Sequence, residues 1–156
     1  MMTQTAFEDF FKRGLAELPK PKSLPRGHYV LALRGNFKRP PREEGKSGQI
    51  TLFYEPVEPC DDVDPNELEA FSEGGRSIKD NVVTVEFWLG DWKDVKNVFD
   101  HLSLLGVDVE GVADLSVALK AATNKRTVAY VSPDTYMHKV KGMQTKDKAE
   151  GFKAIQ

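Results

Sequence analysis

Two strand-forming runs bracket a basic connection, and that arrangement limits what this chain can become. HYVLALRGNF (28–37) and GQITLFYEPV (48–57) are dense in β-branched, aromatic and aliphatic residues, the mark of strands in a packed sheet. The ten residues between them carry Lys38, Arg39, Arg42 and Lys46, while Pro40, Pro41 and Gly45 keep them out of either strand. The stretch reads as a long hairpin with positive charge concentrated at its tip. If Ile50, Leu52 and Tyr54 face a core, two-residue alternation places Phe53 outside.

The order of the remaining elements extends the hairpin to a fold. Phe7, Phe10, Phe11, Leu15 and Leu18 recur at helical spacing and predict an amphipathic helix over 5–18. Its apolar face must dock on the domain or on another subunit, so a homodimer is one expectation. Prolines in LPKPKSLPRG (18–27) end that helix and lead in extended form to the first strand. Residues 1–23 are thus expected as helix and lead-in, and 24–156 as the domain. Asp64 before Pro65 starts a short helix that Gly74-Gly75 ends. NVVTVEFWLG (81–90) predicts a third strand with Val83, Val85, Phe87 and Leu89 inward and Thr84, Glu86 and Trp88 on the opposite side. DWKDVKNVFDHLSLLG (91–106) predicts a helix capped by Asp91 and ended by Gly106, and a second helix follows from Asp114 to Ala122. RTVAYVS (126–132) predicts a fourth strand broken by Pro133-Asp134, and the last strand is either TYMHKVKGM (135–143) or GFKAI (151–155). The chain is therefore expected to be mainly β with helices. Three antiparallel strands, a helical insert and two more strands is the order of the five-stranded Greek-key barrel called the OB-fold. That barrel binds oligonucleotides or oligosaccharides across strands two and three, between the loop joining strands one and two and the loop joining strands four and five.

Charge falls in blocks along this order. Residues 19–46 hold eight Lys/Arg against two acids, residues 47–119 hold four against sixteen, and residues 120–156 hold eight against three, within a net charge of −2. Both expected gripping loops lie in basic blocks. If the fold brings the two together, one wall of the barrel becomes a cationic trough.

A site for single strands needs cations along the backbone path and flat side chains on which bases stack. The candidate cations are Arg34, Lys38, Arg39, Arg42 and Lys46, with Lys125, Arg126, Lys139 and Lys141 as a second group; Glu43 and Glu44 offset the first. The candidate rings are Phe37, Phe53 and Trp88. Each cation has an alternative reading as a solvated charge, and each ring as a residue packed under the N-terminal helix or the 58–77 segment. Trp92 and Tyr136 are read as structural.

Other chemistries find no assembled constellation. Cys60 has no base at a local spacing, and as the single cysteine it forms no intrachain disulfide. Asp62, Asp64, Asn66 and Glu73 approach calcium-loop spacing, but Glu67 stands where the turn requires glycine. His28, His101 and His138 are isolated, and Gly74, Gly75 and Gly90 form no phosphate loop. No catalytic residue, metal or cofactor is expected. No apolar run approaches the ~20 residues of a membrane span. MMTQTAFEDFFKRG lacks the pattern of a secretory signal, so a cytoplasmic protein is expected, in the host cell if the source is viral.

At LPRGHYVLALRGNF (24–37) the sequence resembles phage-encoded single-stranded DNA-binding proteins with an OB-fold, which often enter the barrel through a Leu-Pro-x-Gly-x-Tyr stretch. The resemblance extends loosely over 24–155, including a helical insert with a Leu-Gly pair, here Leu105-Gly106. It implies sequence-tolerant binding of single-stranded DNA during replication or recombination. It also implies partners among replication or recombination proteins. Many single-strand binders end in an acidic tail with a terminal aromatic; this chain ends KAEGFKAIQ, so recruitment through such a tail is not expected. A different class of function stays open: a protein-interaction module whose acidic middle occupies a host protein's DNA-binding site.

Overall fold

A computed structural model describes residues 23–138, 140 and 142–155. The expected N-terminal helix, with Phe7, Phe10 and Phe11, lies outside the described residues, as do Lys139 and Lys141. Five strands close into a barrel: β1 (Gly27–Arg39), β2 (Gly48–Pro59), β3 (Val83–Leu89), β4 (Arg126–His138) and β5 (Gly142–Ala154), in the spatial order β1-β2-β3-β5-β4. All neighbours are antiparallel except β3 and β5. The architecture is mainly β and OB-fold-like. Three α-helices are described: α1 (Pro65–Ser72), α2 (Trp92–Leu104) and α3 (Leu115–Ala122), the last two forming the insert between β3 and β4. Asp64, Asp91 and Asp114 cap them through their carboxylates, the first two as the sequence predicts.

The core follows the strand alternation. Tyr29, Leu31 and Leu33 of β1, Ile50, Leu52 and Tyr54 of β2, Val83 of β3, and Ala129 and Val131 of β4 are buried together. Val98 and Leu102 of α2 with Ala118, Leu119 and Ala122 of α3 join the same core. Register shifts at Val30/Leu31 and Leu33/Gly35 mark bulges in β1, which let one long strand bend from β4 across to β2.

The Leu-Pro-x-Gly-x-Tyr stretch has a structural reason. Leu24 is buried and its N–H donates to Asp147 Oδ1 (3.1 Å), while the Tyr29 hydroxyl donates back to the Pro25 carbonyl (2.7 Å). Between them Gly27 adopts φ +146°, and a Cβ there would sit 2.5 Å from Val63 Cγ2. Asp147 also accepts from Asn81 Nδ2 (2.8 Å), beside the parallel seam where Val83 pairs with Asp147. This buried carboxylate thus joins the lead-in, the start of β3 and β5 where the ladder has only two pairs. Burial pushes its pKa up, against the lowering effect of those two hydrogen bonds.

The end of the chain corrects the sequence reading. Pro133-Asp134 does not break β4, which continues to His138 and takes in 135–138; the last strand, β5, contains 151–154 as its far end but begins much earlier, at Gly142. β1 starts opposite Val131, so residues 132–138 pair only with β5. Pro133 therefore has an unpaired side on which a missing N–H costs no ladder bond.

Candidate nucleic-acid interface

Antiparallel partners point to the same face, so register alone specifies which side chains share the outer wall. Three rows cross β1, β2 and β3: Gly35–Phe53–Thr84, Phe37–Thr51–Glu86 and Arg39–Gln49–Trp88. The opposite face carries Ile50, Leu52 and Tyr54, paired with Phe87, Val85 and Val83. Of the residues expected to bind, Phe37, Arg39, Phe53 and Trp88 thus share one surface. Phe37 is 53% exposed and Trp88 63%, while Phe53 is half-buried, paired with Gly35, which has no side chain to share the space. The Arg39 guanidinium lies 5.8 Å from the Phe37 ring centroid.

Where the Arg39–Gln49–Trp88 row meets the hairpin tip, an open hollow of about 410 Å³ forms. Arg39, Arg42, Lys46, Glu43, Pro40, Ser47, Gln49 and Trp88 line it, three cations against one carboxylate. The β4–β5 hairpin reaches the same wall from its other side. Lys146 Nζ sits 5.3 Å from the Tyr136 ring centroid and 4.0 Å from Glu86 Oε1, and Gln49 Nε2 donates to Glu86 Oε2 (3.2 Å). Glu86, the one carboxylate in the three rows, is therefore held by a cation and an amide. Lys146 and Tyr136 were outside the expected set. The reason is that β5 is too polar to be recognised as a strand, so no spacing tied Lys146 to β3.

The other expected cations go elsewhere. Lys38 pairs with Ile50, so alternation puts it on the opposite face from Arg39. Arg34 is a clamp: Nη1 donates to Asn124 Oδ1 (2.7 Å) and Nη2 to Glu55 Oε1 (3.2 Å), holding the α3–β4 corner to β1. Asn124 has φ +72°, and its N–H donates to the Leu33 carbonyl (2.6 Å) at the β1 bulge. Lys125 lies at that corner beside Val107 and Val112. Arg126 lines a separate hollow with Val30, Glu58, Val128 and Lys153 on the β1–β4 side. Neither joins the tip.

Part of the acidic block sits at the far end of β2. The strand runs twelve residues from Gly48 at the tip to Pro59, about 36 Å of contour, and Asp61, Asp64, Glu67, Glu69 and Glu73 follow it, all exposed. Asp62 accepts from both the His28 ring (2.7 Å) and the His28 N–H (2.9 Å), which hold its pKa below the usual carboxylate range. Burial and the neighbouring Asp62, Asp61 and Glu58 push the Cys60 thiol pKa up, so it stays protonated at neutral pH. Among the described residues, no three His, Cys, Asp or Glu side chains come together as a metal site, and no helix is long and apolar enough to cross a membrane.

Compared with known proteins, the chain matches no family model and no curated sequence.

Proposed function

We propose that this protein binds single-stranded DNA along the outer wall of β1–β2–β3, without marked sequence preference, and protects or presents it during replication or recombination. The observation that carries this reading is the single surface shared by two exposed aromatic rings and the cationic hairpin tip. Exposed Phe37 and Trp88 offer π-faces to bases of any identity, and Arg39, Arg42 and Lys46 offer partners to the phosphates beside them. Duplex DNA hides its base faces, so such a wall discriminates in favour of unpaired strands. The resemblance of residues 24–37 to phage single-strand binders supports the same reading.

A second reading draws on the acidic end: a module whose exposed carboxylates after β2 dock on a host protein in place of DNA. It assigns no role to the exposed rings at the tip. Anisotropy titration with labelled oligo-dT, duplex and RNA at two salt concentrations separates the two. Tight oligo-dT binding that weakens steeply with salt supports the first; no shift with any nucleic acid, together with capture of a host DNA-binding enzyme, supports the second.

A further inference from the structure

The chain has two tryptophans, four residues apart, and both stand in solvent. Trp92, expected from sequence to be structural, is 86% exposed on the first turn of α2. An exposed indole of this size is not explained by packing. Its position is fixed by the β3–α2 turn, which is pressed against the base of the hairpin tip: a Cβ on Gly90 would collide with Ser47 Oγ, and Ser47 lines the hollow that Trp88 also lines. Four residues span at most about 14 Å, so the backbones of the two tryptophans lie within that distance of each other, with Trp92 outside the lining of the hollow itself. The two carboxylates nearby are turned into the turn itself. Asp91 Oδ1 accepts from the Asp94 N–H (2.9 Å), and Asp94 Oδ2 accepts from the Gly90 N–H (2.7 Å).

We infer that Trp92 is a second stacking subsite, taking an unpaired base of the strand as it leaves the hollow past Trp88. The inference rests on the single-strand reading above and extends its path onto the helical insert. Contact there is by the π-face alone. Asp91 and Asp94 make the surroundings anionic, so a phosphate is not held at this subsite and the strand's backbone stays on the tip side. Trp92 thus contributes affinity that salt does not remove.

Single-tryptophan proteins test this with oligo-dT of about 16 nucleotides, the upper end of the site size of one barrel of this type. Trp88→Phe leaves Trp92 as the sole indole, and Trp92→Phe leaves Trp88. Quenching of Trp92 fluorescence on saturation, with a loss of at least about fivefold in affinity for Trp92→Ala and an unchanged salt slope, supports the subsite. If Trp88→Phe binds oligo-dT and its Trp92 emission does not change, the subsite is absent while the reading of the wall stands. If the wild-type protein does not bind oligo-dT, both fall together. Because Trp92 is exposed, these variants fold as the parent does, and circular dichroism verifies it.

Discussion

Lowering the pH from 7 to 4 is expected to destabilise this protein by about 3 kcal/mol through one side chain. His101 projects from α2 into the barrel, where its Nε2 meets the Tyr54 hydroxyl at 2.5 Å and its ring lies 4.5 Å from Phe152 and 5.2 Å from Phe87, centroid to centroid. Burial among these rings, with no carboxylate to compensate, lowers its pKa from 6.5 to about 4. The unfolded chain therefore takes up a proton near pH 6.5 that the folded chain refuses until about pH 4. Between those values the unfolded state binds more protons, so stability falls as pH falls, at about 1.4 kcal/mol per pH unit. Asp147 acts with the opposite sign, because its raised pKa favours the folded state on the acid side, so wild type alone does not isolate the histidine. Tyr54→Phe/His101→Phe does, since it replaces both buried partners with apolar rings and leaves every carboxylate in place. Urea unfolding at pH 7, 5.5 and 4 should show the wild type losing about 3 kcal/mol relative to the double variant. Parallel stability curves for the two proteins across that range would refute the reasoning.

Four further outcomes follow from the same geometry. Arg39→Ala/Arg42→Ala should reduce the slope of log affinity against log salt by about 1.4, because each lost phosphate contact on a single strand accounts for about 0.7; an unchanged slope places the phosphates elsewhere. Trp88→Ala should weaken oligo-dT binding by about 1–3 kcal/mol while leaving urea stability within about 0.5 kcal/mol, as its exposed position implies. Asp147→Ala removes the acceptor of both Leu24 N–H and Asn81 Nδ2 and should cost about 1–3 kcal/mol in chemical unfolding; no loss would mean the seam closes without it. Gly27→Ala meets Val63 at a left-handed backbone position and should cost at least about 2 kcal/mol, whereas Gly35→Ala, with open space around its Cβ, should not.

The barrel was legible in sequence where one face of an element meets the core and the other meets water. That holds for β1, β2 and β3, and for α2 and α3, whose aspartate caps are local signals. It fails in the last third for a physical reason. The arm formed by 132–138 and 142–146 extends past the start of β1 and has no core to face, so its sequence lacks the alternation that burial imposes. Asp147 then stands at an inward position where period-two reading expects an apolar residue, because there it ties the lead-in to the seam. The candidate wall was half legible. Alternation placed Phe53 and Trp88 outside, and the tip's charge was plain. However, the bulge at Leu33/Gly35 and the partnership of Arg34 with Asn124, ninety residues away, leave no trace in local spacing.

Separation of charge along β2 decides how a polyanion meets this molecule. With a net charge of −2, the protein as a whole attracts no anion from a distance. At about 0.15 M salt, fields fade over about 8 Å, far less than the contour of β2, so the basic tip and the acidic end act as independent surfaces. A strand that strikes the acidic end is repelled, and one that strikes the tip meets Arg39, Arg42 and Lys46 together. Within the three rows the one opposing charge is Glu86, and Lys146 and Gln49 hold it in place. On the proposed reading, the carboxylates beyond the far end of β2 do not cancel the tip; they leave the tip as the favoured end for a strand's approach, beside the exposed rings.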